Sequence, residues 1–108
     1  MNHTLRITRG AERDLEEIAS WIAEHDSPAA ASYVLDRLLQ TAQSVAALPQ
    51  RGSRPKELPL EIGLEVHQVF FKPYRVIYEI LHDQVIVQLI ADGRRSFQSL
   101  LLRRLTES

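Results

Sequence analysis

The sequence contains no cysteine, and its four glycines are isolated from one another. The first absence excludes disulfides and thiolate zinc sites, and the second excludes a glycine-rich phosphate-binding loop. No apolar run approaches the roughly 20 residues of a membrane span, and the N-terminus shows no signal-peptide pattern. The histidines, at positions 3, 25, 67 and 82, lack metal-ligand spacing. We therefore expect a cytoplasmic protein without metal, cofactor or membrane contact.

An excess of positive charge is also missing. Thirteen basic residues stand against fourteen acidic ones, for a net charge of −1. Proteins that bind nucleic acid through its phosphates usually carry a clear basic excess, so we expect no sequence-specific nucleic-acid binding by this chain alone. The charges are nevertheless segregated, because residues 12–26 are rich in acid and residues 94–104 hold four arginines and no acid. A local basic contact remains open.

The most informative stretch is an apolar hairpin near the C-terminus. Residues 74–80 and 85–90 are rich in β-branched and aromatic side chains, and the short polar segment between them suits a turn. Strands this apolar need a cover on at least one face. Upstream, apolar residues recur at helical spacing in two segments, and Ser27 and Pro28 mark the start of the second. A connection this short makes the two helices an antiparallel hairpin.

These patterns predict an α+β fold in a single domain that spans residues 1–108, with the helical hairpin packed on one sheet face through Leu15, Ile18, Leu35 and Leu38. The last helix is expected to point Phe97 and Leu101 inward, with Leu100 and Leu105, and Arg103 and Arg104 outward. The predicted elements are a strand at 3–8, helices at 11–25 and 28–48, a proline-rich loop at 49–59, strands at 64–71, 74–80 and 85–90, and a helix at 96–105. In the strand at 64–71, alternation predicts that Leu64, Val66, Val69 and Phe71 face the core.

Two aromatic residues lie at the margins of the helical apolar stripes. Trp21 and Tyr33 either pack at the edge of the core, as amphipathic aromatics commonly do, or line a groove for a partner. Edge packing is the commoner role, but alanine-rich helices also leave a shallow apolar surface on which an amphipathic helix can bind.

General acid–base cleavage of RNA is the one catalytic chemistry that the residues could support. It needs proton-transfer groups, for which His67 and His82 are candidates, and cations such as Arg75, Arg94 and Arg95 to stabilise the phosphate. The alternative is structural: Arg75 pairs with an acidic neighbour on the sheet, and His82 sits in a turn.

The order of elements, together with the Tyr-Arg-Val-Ile-Tyr segment at 74–78 and the Asp-Gly-Arg-Arg segment at 92–95, resembles the RelE/ParE family of type II toxin–antitoxin toxins over essentially the whole chain. The resemblance implies a small α+β toxin that a ParD-like antitoxin neutralises by wrapping around it. One branch cleaves mRNA on the ribosome, and the other poisons DNA gyrase.

The resemblance also separates the branches. In RelE-type ribonucleases, two lysines would fall on Val66 and Gln68, and a tyrosine would fall on Leu101; of that set, only Arg75 and Arg95 are present here. The ParE-like branch is therefore the better match. This branch implies that the protein inhibits gyrase and is not an enzyme. It also implies that the gene belongs to a plasmid-stabilisation locus.

Trp21 and Tyr33 are then the expected antitoxin contacts. The expected target contacts are Arg94, Arg95, Arg103 and Arg104, although the last two could simply complement the dipole of the final helix. The alternatives to gyrase inhibition are a ribosome-dependent endoribonuclease and a non-toxic protein-interaction domain.

Overall fold

The computed structural model describes residues 3–92 and 97–107, which form an α+β fold with the predicted order of elements. Three helices and a four-stranded sheet account for most of this part of the chain. The elements are β1 (Thr4–Ile7), α1 (Arg9–His25), α2 (Pro28–Ala47), a 3₁₀ turn (Pro49–Arg51), β2 (Val66–Phe71), β3 (Tyr74–Leu81), β4 (Gln84–Asp92) and α3 (Phe97–Thr106).

Both long helices begin where a hydroxyl side chain caps them. Thr8 Oγ1 accepts a hydrogen bond from the Ala11 N–H at 3.1 Å, and Ser27 Oγ accepts one from the Ala30 N–H at 3.0 Å. Each cap satisfies a backbone donor that has no partner within the helix. Pro28 stands in the first turn of α2, as predicted. These caps explain why the boundaries of the hairpin follow from local sequence.

The second strand is shorter than predicted. It begins at Val66, and Leu64, which we expected to face the core, lies in the preceding loop with 37% of its surface exposed. Val69 is buried, and Phe71 packs against the core from its margin, so the inward pattern holds farther along the strand. The expectation for Leu64 was wrong because alternation alone does not show where pairing stops.

The sheet order is β1-β4-β3-β2. The three later strands form the predicted antiparallel meander, and His82, with a φ of 57°, occupies the tight turn between β3 and β4. That position confirms the turn interpretation of His82. β1 pairs with β4 in parallel, from Thr4 opposite Gln84 to Ile7 opposite Val87. The first strand of the chain is therefore an edge strand beside the last one.

Each face of the sheet has its own apolar cluster. The α1–α2 hairpin covers one face, and α3 and the loop before β2 cover the other. Leu15 and Leu38 are buried in the hairpin cluster, and Ile18 and Leu35 pack against it, which confirms their predicted orientation. On the α3 face, Phe97 and Leu101 are buried, and Leu100 and Leu105 pack against that cluster. The buried members of the hairpin cluster are Ala11, Leu15, Leu38, Ala42, Val45, Val69, Val76, Tyr78, Val85, Val87 and Ile90.

Candidate functional site

The edge of β4 is where three elements meet. β1 accompanies β4 only as far as Val87, so the rest of β4 lacks a neighbouring strand on that side. Side chains take the place of the strand, since Asp14 Oδ2 accepts from the Ile90 N–H at 2.9 Å and Arg104 Nη1 donates to the Gln88 carbonyl at 3.2 Å. A buried strand edge needs such partners because its backbone groups are otherwise unsatisfied.

Arg104 and Asp14 form a two-pronged ion pair across this edge. The Arg104 guanidinium donates to the two carboxylate oxygens of Asp14 at 2.6 and 2.8 Å, and it lies 3.9 Å from Glu107. Hydrogen bonding to Asp14 raises the pKa of Arg104 above its ordinary value. A Cβ added to Gly10 would lie 3.1 Å from Arg104 Nη1, so the small residue gives the guanidinium room.

The expectation that Arg104 points outward was therefore wrong. Its guanidinium turns inward because a buried carboxylate, Asp14, lies within reach on α1. Asp14 itself was missed by the sequence reasoning. The available signal was an acidic residue that interrupts the apolar stripe of α1 beside Ala11 and Leu15, because a charge in such a stripe needs a partner.

A groove opens beside this ion pair, between α1, the end of β4 and α3. Its volume is about 690 Å³, and its apolar lining includes Ile18, Trp21, Tyr74 and Leu100. Trp21 is 61% exposed and stacks on His25, with ring centroids 4.2 Å apart. Burial raises the pKa of Tyr74 above its ordinary 10.0. An exposed tryptophan on the wall of an apolar groove is typical of a protein-binding surface.

The two aromatic residues predicted to contact an antitoxin are both exposed, but they are in different surroundings. Trp21 lines the groove, whereas Tyr33 is 59% exposed on α2 and lies outside it. Neither belongs to the buried cores, so packing at the edge of the core does not account for them. Their role in antitoxin binding stays a prediction.

Arg75 is enclosed by polar and aromatic groups. Its guanidinium donates to both carboxylate oxygens of Glu57, at 2.9 and 2.8 Å, and it also donates to the side-chain oxygen of Gln68. The Phe97 ring covers it with a centroid distance of 3.8 Å, which leaves 11% of the side chain exposed. The Arg75 hydrogen bonds lower the pKa of Glu57. Arg75 is paired with an acid, as the structural alternative predicted, but that acid, Glu57, lies on a loop and not on the sheet.

The two candidate proton-transfer histidines are not assembled into a site. His67 stacks on Tyr78, and its ring nitrogens lie 3.2 Å from the Gly52 carbonyl and 3.2 Å from Glu65. Hydrogen bonds from Gln50 and His67 lower the pKa of Glu65. Within residues 3–92 and 97–107, no hydrogen bond or ion pair joins His67, His82 or Arg75 to one another.

The three positions that differ from the ribonuclease pattern have packing roles. Val66 and Leu101 are buried in the cluster on the α3 face, and Gln68 holds Arg75. Apolar side chains cannot transfer protons or bind phosphate. The burial of Val66 and Leu101 therefore agrees with a packing role at these two positions.

Three of the arginines that were predicted to contact the target remain to be placed. Arg103 is exposed on α3, and Arg94 and Arg95 lie outside the described residues.

In the part of the chain that the structure describes, no group of three or more His, Cys, Asp or Glu residues is arranged to hold a metal ion. Likewise, none of the described helices has the length and apolar character needed to cross a bilayer.

Comparisons with known proteins agree with this architecture. The family model described as the ParE toxin of the type II toxin–antitoxin system parDE matches residues 5–97. Toxin ParE3 of Caulobacter vibrioides is 28% identical over 94 residues, which cover 87% of this chain and 90% of that protein.

Solved structures share the fold at low identity. A chain of the chromosomal ParDE toxin–antitoxin system of P. aeruginosa superposes with a TM-score of 0.73 and 18% identity, covering 85% of this chain and 97% of that one. A chain of the RelBE2 toxin–antitoxin complex of Mycobacterium tuberculosis gives 0.62 and 23%, covering 87% and 100%. A mutant of the E. coli toxin RelE in the free state gives 0.63 and 14%, covering 99% and 100%.

The family model of ParE toxins matches far more than half of the chain, and the structural neighbours share its fold. The chain therefore belongs to the ParE toxin family of type II toxin–antitoxin systems.

Proposed function

We propose that this protein is a cytoplasmic toxin that inhibits DNA gyrase by binding and that a cognate ParD-like antitoxin neutralises it. The observation that carries the proposal against the ribonuclease alternative is the enclosure of Arg75. Its guanidinium is paired with Glu57 and covered by Phe97. A cation that must stabilise a phosphate in the transition state has to be available to the substrate, and this one is already neutralised.

Family membership supports the same target. The chain matches the ParE model and a curated ParE toxin, and the described residues do not combine a proton-transfer histidine with a free cation. The two RelBE-type neighbours are below 25% identity and do not decide between gyrase and mRNA as the target. The solved ParDE chain comes from a toxin–antitoxin system and the RelBE2 chain from a toxin–antitoxin complex, which supports an antitoxin partner for this chain.

The proposed target contacts are Arg94, Arg95 and Arg103, of which Arg103 lies on α3. Arg103 is exposed, and no described residue forms an ion pair with it, so its charge is available to a partner. Arg104 is not among the proposed target contacts, because its guanidinium is paired with Asp14. A short basic segment, residues 94–104, on a chain of net charge −1 suits a local contact with a protein–DNA complex better than broad phosphate binding.

Two assays with the purified toxin test the proposal. Gyrase supercoiling should be inhibited, and ribosome-bound mRNA should stay intact. Arg94→Ala, Arg95→Ala and Arg103→Ala should each weaken gyrase inhibition roughly tenfold, as expected for loss of a charged hydrogen bond. Arg6→Ala, which removes an exposed arginine on β1, is the matched control and should stay within about twofold.

Cleaved mRNA together with uninhibited gyrase would show that the ribonuclease alternative is correct. In that case Arg75→Ala should abolish cleavage. A toxin that affects neither target would favour a different target or an interaction domain without toxicity.

A further inference from the structure

The groove between α1, β4 and α3 has an acidic border. Among the described residues that line it, Asp14 and Glu17 on α1 carry carboxylates, and Arg104 on α3 carries a guanidinium. Asp14 already neutralises Arg104 through two hydrogen bonds. Asp14 therefore balances the charge of Arg104, and the Glu17 carboxylate adds negative charge to the α1 side of the groove.

The acidic border continues along α1 on both sides of Trp21. A second, shallower depression is lined by Glu16, Glu17, Ser20, Trp21 and Glu24. Across residues 3–92 and 97–107, neither a hydrogen bond nor an ion pair involves Glu16, Glu17 or Glu24. Such exposed carboxylates are solvated in the free protein, and their charge is available to a cationic partner.

Helix geometry sets the spacing of these groups. Glu17 and Glu24 are seven residues apart on α1, so they lie two turns, or about 10 Å, apart along the helix axis, with Trp21 between them. A complementary segment would carry two cations about 10 Å apart, on either side of an apolar side chain that covers the indole. Trp is among the residues that contribute most to binding when a partner buries it.

The position of the groove relates this surface to neutralisation. An occupant would contact α1, β4 and α3 together, since all three line the groove. Asp92, which belongs to the lining, is also the residue from which the sequence continues to Arg94 and Arg95, the proposed target contacts. A segment bound there reaches the start of the arginine-bearing stretch, which suits an inhibitor of the toxin better than its target.

We propose that this groove binds a basic and apolar segment of the cognate antitoxin, with an apolar side chain on Trp21 and with lysine or arginine side chains opposite Glu17 and Glu24. The proposal rests on the antitoxin named in the proposed function and specifies its binding surface and chemistry. Tyr33, on α2 outside the groove, is left out of this surface.

Trp21 is the only tryptophan of the chain, which allows a direct measurement of groove occupancy. The toxin is labelled with 5-fluorotryptophan, and its single ¹⁹F resonance is followed as unlabelled cognate antitoxin, the small protein encoded beside the toxin, is added. The resonance should shift as the indole, 61% exposed in the free chain, is buried. An unchanged resonance in a saturated complex would overturn the proposal.

Variant affinities test the chemistry. In calorimetric titrations with the same antitoxin, Glu17→Lys combined with Glu24→Lys should raise Kd at least tenfold and flatten its dependence on salt, because two opposite-charge contacts become repulsive. Trp21→Ala should raise Kd roughly ten- to a hundredfold. Asp36→Lys, at an exposed position of α2, is the matched control and should stay within about twofold. Thermal melts of each variant check that the fold is kept.

The outcomes separate this proposal from the proposed function. If the wild-type toxin inhibits gyrase and binds antitoxin, but the groove variants bind as tightly as wild type, the groove proposal is wrong and the function stands. If the groove variants weaken the complex while gyrase is untouched, the groove proposal stands and the target is wrong. If the wild-type toxin binds no antitoxin, both the proposed antitoxin partner and the proposed binding groove are wrong.

Discussion

A comparison of the two faces of the sheet shows that the α1–α2 hairpin is held by apolar packing, whereas α3 also depends on polar anchors. On the hairpin face, Leu38, Val45, Val76 and Val85 are fully buried in one continuous cluster. On the other face, the ten-residue α3 buries only Phe97 and Leu101 completely. The difference follows from length, because a short helix has too few apolar positions to be fixed by burial alone.

The polar anchors of α3 connect it to distant parts of the chain. Arg104 reaches Asp14 on α1 and the Gln88 carbonyl on β4, and the Gln98 side chain donates to the Glu57 carbonyl at 2.7 Å. Hydrogen-bonded charges are directional, and they are lost when one partner is removed. The two faces should therefore respond differently to mutation and to pH.

The largest effect is expected on the hairpin face. Leu38→Ala removes a fully buried side chain from the centre of the cluster and should lower the free energy of unfolding by about 4 kcal/mol, within the range known for such cavities. Urea denaturation monitored by circular dichroism measures it. Leu60→Ala is the control, since Leu60 is 88% exposed, and it should have almost no effect. A loss below about 1 kcal/mol would contradict the assigned core.

Breaking the polar anchor should cost somewhat less and act more locally. Asp14→Ala leaves the Arg104 guanidinium and the Ile90 N–H without their partner, and we expect a loss of about 3 kcal/mol. Hydrogen exchange should accelerate mainly in α3 and at the end of β4. Adding Arg104→Ala should cost less than the sum of the single changes, because the pair is lost only once. Additive effects would show that the two side chains act independently.

A pair of glycine substitutions tests the margin of the hairpin face. A Cβ at Gly52 would lie 2.5 Å from the Gln68 carbonyl oxygen and 2.7 Å from the Tyr78 hydroxyl, whereas one at Gly63 would meet nothing within 4 Å. Gly52→Ala should therefore destabilise the protein by about 1–3 kcal/mol through overpacking, and Gly63→Ala should stay within roughly 0.5 kcal/mol. Equal melting temperatures for the two variants would refute the close approach at Gly52.

The smallest effect is expected on the stability of the fold at acidic pH. Arg75 lowers the pKa of Glu57 below its ordinary 4.5, so the ionised carboxylate stabilises the fold above that value, and the contribution is lost as pH falls through the folded-state pKa. Glu57→Gln should remove this part of the loss of stability as the pH falls below about 4.5, and the effect should be no more than about 1 kcal/mol. Denaturant titrations at several pH values measure it. An unchanged pH profile in the variant would mean that other carboxylates carry the acid sensitivity.

Local sequence determined much of the fold. The hairpin was predictable because Thr8 and Ser27 cap their helices within three residues, and because apolar residues repeat on one side of each helix. The β3–β4 turn at His82 was predictable from the polar segment between two apolar strands. Caps, turns and periodicity act over a few residues and are therefore visible in sequence.

The tertiary structure alone decided the features that join distant segments. Nothing local indicates that Thr4 pairs with Gln84, or that Arg104 turns inward to a carboxylate 90 positions away. Trp21 could be recognised as unusual from sequence, but the groove beside it exists only once α1, β4 and α3 are packed together. Contacts of this kind are selected by the folded chain as a whole, because the free energy of a buried charge or strand edge depends on which partner the packing brings within reach.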